Sequence, residues 1–347
     1  MRYGKQTSIL ISGLLGLMVV FAYGPVMADD VDTTAGKKVT LGIPSSAGGG
    51  YDGYSRLLAR HIGRYLPGNP TVIPQNVPAG GGLVLMNQLF NIAPRDGSYF
   101  GMVRTSALYE ELYKNPAAKF EGRKLSWIGN LNSDFDTCVT WNNTGIKSVA
   151  DLYTREVVVG SAGAGAMSAS MPIIYNQFLG TKFKVILGYT GTQQRIMAME
   201  SGELQANCGF TTVTLRATGG QAFRDGKLLI LVQGGMTKDP EFPDIPNMLD
   251  EAKTPEARSA LEFVFLQGEL GRPYAGPPGM APDVIKRLRD GFDATVKDTA
   301  FLAEAEKLKL DIGAMDAAAV DKSIERLYAT PRPIIDKVGA SMAHDGG

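Results

Sequence analysis

Histidine is almost absent from this chain of 347 residues, which carries only His61 and His344, and cysteine is equally scarce, with Cys138 and Cys208. His61 falls on the apolar face of a predicted helix and His344 lies in the last four residues. No spare imidazole is left to activate a serine or cysteine, or to complete the usual zinc sites. Charge excess is missing too: 35 basic side chains face 35 acidic ones, which offers no footprint for nucleic acid. Gly180, Thr181 and Lys182 only echo the end of a GxxxxGK[ST] phosphate loop. Gly48, Gly50 and Gly53 do satisfy GxGxxG, but the acidic residue that a dinucleotide site wants about 20 positions on is absent from GNPTVIPQNVP. No poised acid, base, nucleophile or metal cluster stands out, so no enzyme activity, cofactor or metal is expected.

The beginning of the chain reads as a leader. Arg2 and Lys5 precede an apolar run from Ile9 to about Tyr23, and Pro25 and the exit Val26, Met27, Ala28 follow. This is the pattern of a cleavable secretory signal over 1–28, and the run is short for a membrane anchor. Beyond it no segment is long and apolar enough to span a bilayer. A soluble protein of 319 residues exported to the periplasm is expected; loss of Arg2 and Lys5 leaves 33 basic against 35 acidic groups, a formal charge of −2. With 44% hydrophobic and 20% charged residues it should be globular, and its length calls for two domains rather than one core.

The most informative stretch runs from Lys38 to Leu66. Val39, Leu41 and Ile43 predict a short strand, Ser45 to Gly50 carry no large side chain, and Tyr54, Leu57, Leu58, His61, Ile62 and Tyr65 recur at helical spacing. The helix start is thus aimed into a loop through which backbone amides can approach a bound group. Such a start has unpaired N–H groups and about half a positive charge, a site for an anion.

The same unit then repeats. Thr71 to Pro74 predicts a strand, Asn76 to Gly82 a second small-residue loop, and Leu83 to Ile92 a helix; Ser98 to Val103 and Arg104 to Lys114 follow as strand and helix. After a crossover at Leu125 to Asn132, Glu156 to Ser161 predicts a strand, Ser161 to Ala166 a third small loop, and Met167 to Leu179 a helix. Phe183 to Tyr189 leads through Gly188 to Gln194 into a helix ending near Met199, and Leu204 to Phe210 and Leu228 to Gln233 add strands. Strands alternating with helices imply mostly parallel sheets with ligands at their carboxyl ends. Two sets of helix starts facing a cleft would form a clamp. Cys138 and Cys208 sit in strand-like segments, DTCVTW and QANCGF, as sheet neighbours joined by a disulfide or as two buried thiols.

Taken in order, IPSSAGGGYDGYSRLLARHIGRYL, VPAGGG, PRDGSYFGMV, WIGNL, VVVGSAGAGA, GYTGTQQRIMAMESGELQANCGF and GRPYAGPPGMAPDVIKRLRDGFDATVKDTAFLAEAEKL make a chain that resembles the solute-binding receptors of tripartite tricarboxylate transporters, the Bug family. The resemblance covers nearly all of the chain after the leader. It implies an α/β fold of two lobes, type II-like among periplasmic binding proteins, each a mostly parallel sheet flanked by helices, with two crossover strands as the hinge. The first lobe would comprise 29–133 and 271–347, the second 134–270. The function implied is capture of a small organic carboxylate between the lobes, as in a Venus flytrap. Delivery would be to a large and a small membrane subunit. A monomer is expected, since a swinging lobe is poorly served by a rigid dimer. The alternatives are a receptor that reports to a membrane sensor and an exported enzyme.

Carried onto this sequence, the family pocket has a first loop of Ser45, Ser46, Ala47 and Gly48 with Tyr51 and Asp52 beyond it, and a second loop of Ala79, Gly80 and Gly81. These would clamp a carboxylate through backbone N–H groups. The second lobe would add Ser161, Gly163 and Ala164, then Tyr189 and Thr192, then Phe210 and Thr211. Many members have aspartate and asparagine where this chain has Phe210, Thr211 and Thr212, and a tryptophan near its Gly271 to Tyr274. An apolar or aromatic part of the ligand is compatible with those changes. Arg272 either answers a second carboxylate or is a hinge arginine paired to a surface acid. Asp52 either orders the loop and caps the helix or lines the cleft. Tyr51 and Tyr189 are stacking walls or core residues; Met197 and Met199 read as packing, and the run from Glu304 to Lys309 as a solvated helix face.

Overall fold

In the computed structural model, the described residues are Met1 and 38–343, except 164, 165, 190, 213, 214 and 216–218. Residues 2–28 of the expected leader, Ala164 and His344 therefore lie outside the described residues. Eleven strands are formed among the described residues: β1 Val39–Ile43, β2 Val72–Asn76, β3 Tyr99–Met102, β4 Ser126–Asn130, β5 Asp136–Trp141, β6 Val157–Ser161, β7 Phe183–Leu187, β8 Ala206–Thr211, β9 Leu228–Gly234, β10 Pro273–Gly276 and β11 Met315–Asp316. The α-helices are α1 Gly50–Ile62, α2 Leu83–Asn91, α3 Thr105–Leu112, α4 Val149–Thr154, α5 Met167–Leu179, α6 Thr192–Glu200, α7 Gly220–Arg224, α8 Pro255–Glu269, α9 Pro282–Thr295, α10 Thr299–Leu308, α11 Ala317–Tyr328 and α12 Arg332–Ala343.

The strands form two sheets, ordered β11-β4-β10-β3-β1-β2 and β7-β6-β8-β5-β9. The parallel pairs that alternating strands and helices demand are present: β1 with β2 and β3, and β6 with β7 and β8. The chain changes sheet between β4 and β5 and again before β10, and these connecting strands run antiparallel to their neighbours. Each sheet is consequently mixed, with helices on its faces. The two connections lie side by side: Leu131 N–H donates to Arg272 O at 3.0 Å, Asp134 N–H to Gly268 O at 2.9 Å, and Arg272 N–H to Asn130 Oδ1 at 2.8 Å.

Burial explains the elements that border the cleft. Val39, Leu41 and Ile43 are fully buried, and α1 covers them with Tyr54, Leu57, Leu58, His61 and Ile62. Fully burying one such aliphatic side chain is worth about 1.5–3 kcal/mol. The C-terminal helix α12, expected with the first lobe, packs its apolar face on α5 and α8, with Ile334, Ile335 and Val338 buried and Ser341 Oγ donating to Gln177. The helix α8 is itself held by first-lobe side chains, because Tyr109 and Thr105 donate to the carbonyls of Phe263 and Leu270.

Cys138 and Cys208 form a disulfide between adjacent strands β5 and β8, where the register shifts by one residue between Thr137 and Val139. The bulge residue Gly209 has φ +73°, and a Cβ there would come within 2.7 Å of the backbone at Met167 and Ser168. Glycine is therefore required, and its absence of side chain seats the first turn of α5 on β8. Because 70 residues separate the cysteines, the bond removes much denatured-state freedom, about 4 kcal/mol in the chain-entropy picture. Replacing both with serine should lower the melting temperature and abolish its sensitivity to reductant, which thermal melts with and without dithiothreitol would check.

Candidate functional site

The first loop is shaped from beneath by Asp52. Its Oδ2 accepts from the Gly48 N–H at 2.9 Å, and its Oδ1 accepts from Arg56 Nε and Asn76 Nδ2, each at 2.8 Å. Asn76 Nδ2 also donates to Ser45 O at 2.8 Å, so both ends of the loop are tied to one buried carboxylate. Burial alone would raise the Asp52 pKa; the hydrogen bonds from Arg56, Gly48 and Asn76 outweigh it and hold the group below the usual carboxylate range. Of its two candidate roles, ordering the loop is the one the geometry displays. Ser46, Ala47, Gly48, Gly49 and Gly50 stay exposed above it.

The second loop depends on glycine more strictly. Gly80, Gly81 and Gly82 all have positive φ, at +61°, +63° and +100°, and a Cβ on Gly82 would meet the Arg104 Cβ at 2.9 Å. The loop delivers its amides to the start of α2 with Ala79, Gly80 and Gly81 exposed.

The helices begin in two ways. The helices α8, α10 and α11 have side-chain caps, with Thr254, Asp298 and Asp316 accepting first-turn N–H groups, and α4 has a Ser148–Asp151 capping box. By contrast α1, α2, α5 and α6 begin after Gly49, Gly82, Ala166 and Gly191 with no side-chain cap, and so do α3, α7 and α9. At α1 and α2, whose preceding loops are exposed, first-turn N–H groups are open to solvent or a ligand.

On the second lobe several predicted side chains turn inward. Ser161 Oγ bonds Ser168 Oγ at 2.8 Å and donates to Gly163 O at 3.0 Å, tying Gly163 and the start of α5 to the end of β6. Tyr189 is buried, and its hydroxyl donates to Glu203 at 2.5 Å; that bond to a carboxylate, with burial, pushes its pKa up to about 12. Phe210 is 1% exposed and packs in the core with Val139, Ile196 and Leu215. Tyr189 and Phe210 are therefore core residues rather than ligand walls. Thr192 and Thr211 remain partly exposed.

Between the lobes lies a small cavity of about 130 Å³, lined among others by Tyr51, Thr105, Asp134, Asp136, Thr211 and Arg272. Arg272 is committed within it. Its Nη1 pairs with Asp134 Oδ2 at 2.9 Å and donates to Gly271 O at 2.6 Å, and its guanidinium lies 4.9 Å and 5.2 Å from the ring centres of Tyr51 and Tyr54. Its partner is thus a largely buried acid of the connection, and the pair is neutral overall. Asp136, the first residue of β5, stands two residues after Asp134, which precedes the strand. Burial and the neighbouring Asp134 charge push its pKa up to about 7. These acids escaped the sequence reading, although DFD sets two carboxyls close together just as the chain enters β5. A larger hollow, about 540 Å³, opens on the outer flank of α1 and β2, but its arginines 56, 60 and 64 are paired to Asp52, Glu304 and Asp298. It lies away from the uncapped helix starts, so we place the site at the cleft. Among the described residues no group of His, Cys, Asp and Glu is arranged to hold a metal ion.

Glycine loops ending in uncapped helices, in a fold of two mixed sheets, are the features to set beside known proteins. The pattern of the tripartite tricarboxylate transporter family receptors matches residues 55–340. The chain belongs to that family. A curated protein of Agrobacterium vitis, a UPF0065 protein in the TAR-I ttuE-ttuC' intergenic region, is 26% identical over 224 residues, 61% of this chain and 62% of that protein. The match thus spans less than two thirds of that relative. A TctC solute-binding protein from Polaromonas superposes with a TM-score of 0.70 at 18% identity, covering 86% of this receptor and 98% of the other chain. R. palustris Rpa4515, solved with adipate, gives 0.55 at 14% identity over 88% and 97% of the two chains.

Two substitutions at this receptor's site should have mirror-image pH profiles. Asp52→Asn should destabilise by about 1–3 kcal/mol at neutral pH. Because the folded pKa is depressed, that difference should persist above about pH 4 and disappear as pH falls through it. Asp136→Asn should raise stability instead, since a carboxyl raised to about 7 opposes folding once ionised. Its benefit should be full above that pH and vanish near pH 4. Melting temperatures of the two variants and wild type between pH 3.5 and 8.5 would check both signs.

Proposed function

We propose that this receptor captures a small organic carboxylate between its lobes and passes it to the large and small membrane subunits of a tripartite transporter. Residues 1–28 would direct its export to the periplasm, where it would act as a monomer. The observation that carries the reading is the pair of exposed first-lobe loops. The glycine loops open into uncapped helices, and the first is braced by the buried Asp52 network. A carboxylate would take its hydrogen bonds from loop amides at Ser46, Ala47, Gly49 and Gly50 and at Ala79, Gly80 and Gly81, since the Gly48 N–H is held by Asp52 and the Gly82 N–H by Ala79 O. The adipate held by Rpa4515 is a ligand of this chemical class.

The magnitudes suit binding. A helix start favours an anion by about 0.3–1 kcal/mol when exposed and up to about 2 kcal/mol when partly buried. Several such starts closing together, with apolar contacts, reach the roughly −8 kcal/mol of a micromolar complex. Reversible capture needs no more than that.

Thermal shift of residues 29–347 against organic acids and their amides tests the reading. A ligand at about 100 times its Kd adds about 2.7 kcal/mol, a shift of several degrees. An acid should raise the melting temperature while its amide does not. Equal shifts by acid and amide, or none by any acid, would end the carboxylate assignment.

A further inference from the structure

The cavity between the lobes contains a carboxyl that the scaffold leaves without a partner. Three helix starts border that cavity, since Tyr51, Thr105 and Met167 belong to the first turns of α1, α3 and α5. Asp136 lines it too, opening β5 in register with Thr211 of β8 and Gly234 of β9. Among the described residues nothing donates a hydrogen bond to the Asp136 carboxyl, whereas Asp52 and Asp134 each have an arginine, Arg56 and Arg272.

Few charged or titratable groups surround it. Asp134 stands two residues before it, and Arg272 and Tyr51 line the same cavity. From α5, the Tyr175 hydroxyl reaches the strand paired with it, since a Cβ on Gly234 would lie 2.8 Å from that oxygen. Burial raises the pKa of both tyrosines above the ordinary value, so they are neutral near pH 7. The lining residues of β8 and α8, Thr211, Gln267 and Gly268, are uncharged, and Glu269 of α8 lines a separate hollow. Arg272 and Asp134 cancel. Ionised Asp136 would therefore give the cavity one net negative charge. Burial and the Asp134 charge both oppose that, which is why its pKa is raised to about 7.

An anion drawn to the start of α1 arrives beside Tyr51, and so beside this cavity. Ionised Asp136 would repel it; protonated Asp136 can donate to it. Like charges in a poorly solvated site raise each other's pKa, and the group with no counter-charge is the one that takes a proton. Asp134 has Arg272 beside it, and Asp136 has no such partner. We infer that ligand capture by this receptor is coupled to protonation of Asp136: solvent supplies one proton, the carboxylate becomes a carboxyl, and its O–H donates a hydrogen bond to an oxygen of the bound anion. The inference rests on the carboxylate reading above. Loss of the same proton to solvent restores the negative charge and favours release.

Calorimetry of residues 29–347, as wild type and Asp136→Asn, tests this with adipate, malate and benzoate from about pH 6 to about pH 8.5 in buffers of different ionisation enthalpy. For wild type the Kd of an acid that binds should rise about 10–30-fold across that range, the loss expected when only the protonated fraction of a group titrating at about 7 is competent. The same titrations should count proton uptake approaching about one per ligand at the upper end and close to none at the lower. Asp136→Asn keeps an N–H donor and cannot ionise, so its Kd should stay within about threefold over the range with no proton exchanged. Wild type whose affinity and proton count ignore pH, or Asp136→Asn with the wild-type profile, would overturn the inference and leave the carboxylate reading standing. Failure of every acid to bind wild type at any pH would remove both. Were Asp136→Asn not to fold, the wild-type proton count decides alone, and zero uptake at the upper end overturns the inference.

Discussion

An unsatisfied backbone N–H is costly wherever water cannot reach it, and the architecture of this receptor follows from where such groups are left. The helices α4, α8, α10 and α11 cover theirs with the Ser148–Asp151 box, Thr254, Asp298 or Asp316. The helices α1 and α2, which follow the first-lobe glycine loops, do not. Their amides can remain open because the loops before them are exposed to solvent, and the first of these loops is held in shape by other means. Asp52 does this for the first loop by taking its bonds from inside. A loop whose amides are exposed and whose shape is already fixed forfeits little entropy when an anion arrives.

Much of this was readable from residue spacing. The strands, small-residue loops and helices of both lobes fall within a few residues of their predicted places, because hydrophobic period and glycine clusters are local signals. The direction of the connecting strands is not local. Two strands that return the chain to the other lobe must run against the parallel set, which turns mostly parallel sheets into mixed ones. The site was legible in its backbone and less so in its side chains. Phe210 illustrates why. A strict alternation from Ala206 and Cys208 would keep it on their face, but the bulge at Gly209 moves it to the other face, into the cluster of Val139 and Ile196. One inserted residue, invisible to a period-two reading, changed a ligand wall into a core residue. Asp136 went unnoticed for a related reason. It looks like an ordinary polar residue until the fold buries it.

The hinge shows what burial does to charge. Asp134 and Arg272 meet across the two connections and cancel, with Tyr51 and Tyr54 lying against the guanidinium. Asp136 is left beside them without that compensation, so its proton becomes easier to keep. A neutral hinge pair has a mechanical advantage. Its attraction is satisfied within the connection and makes no demand on the ligand.

Closure of two lobes needs a ligand that interacts more favourably with the closed arrangement than with the open one. Backbone amides of the first lobe cannot supply that difference alone, since they are present in both. The difference must come from groups on the opposite lobe. If Arg272 were free at the hinge, an anion would find it in either arrangement, and its charge would add affinity without favouring closure.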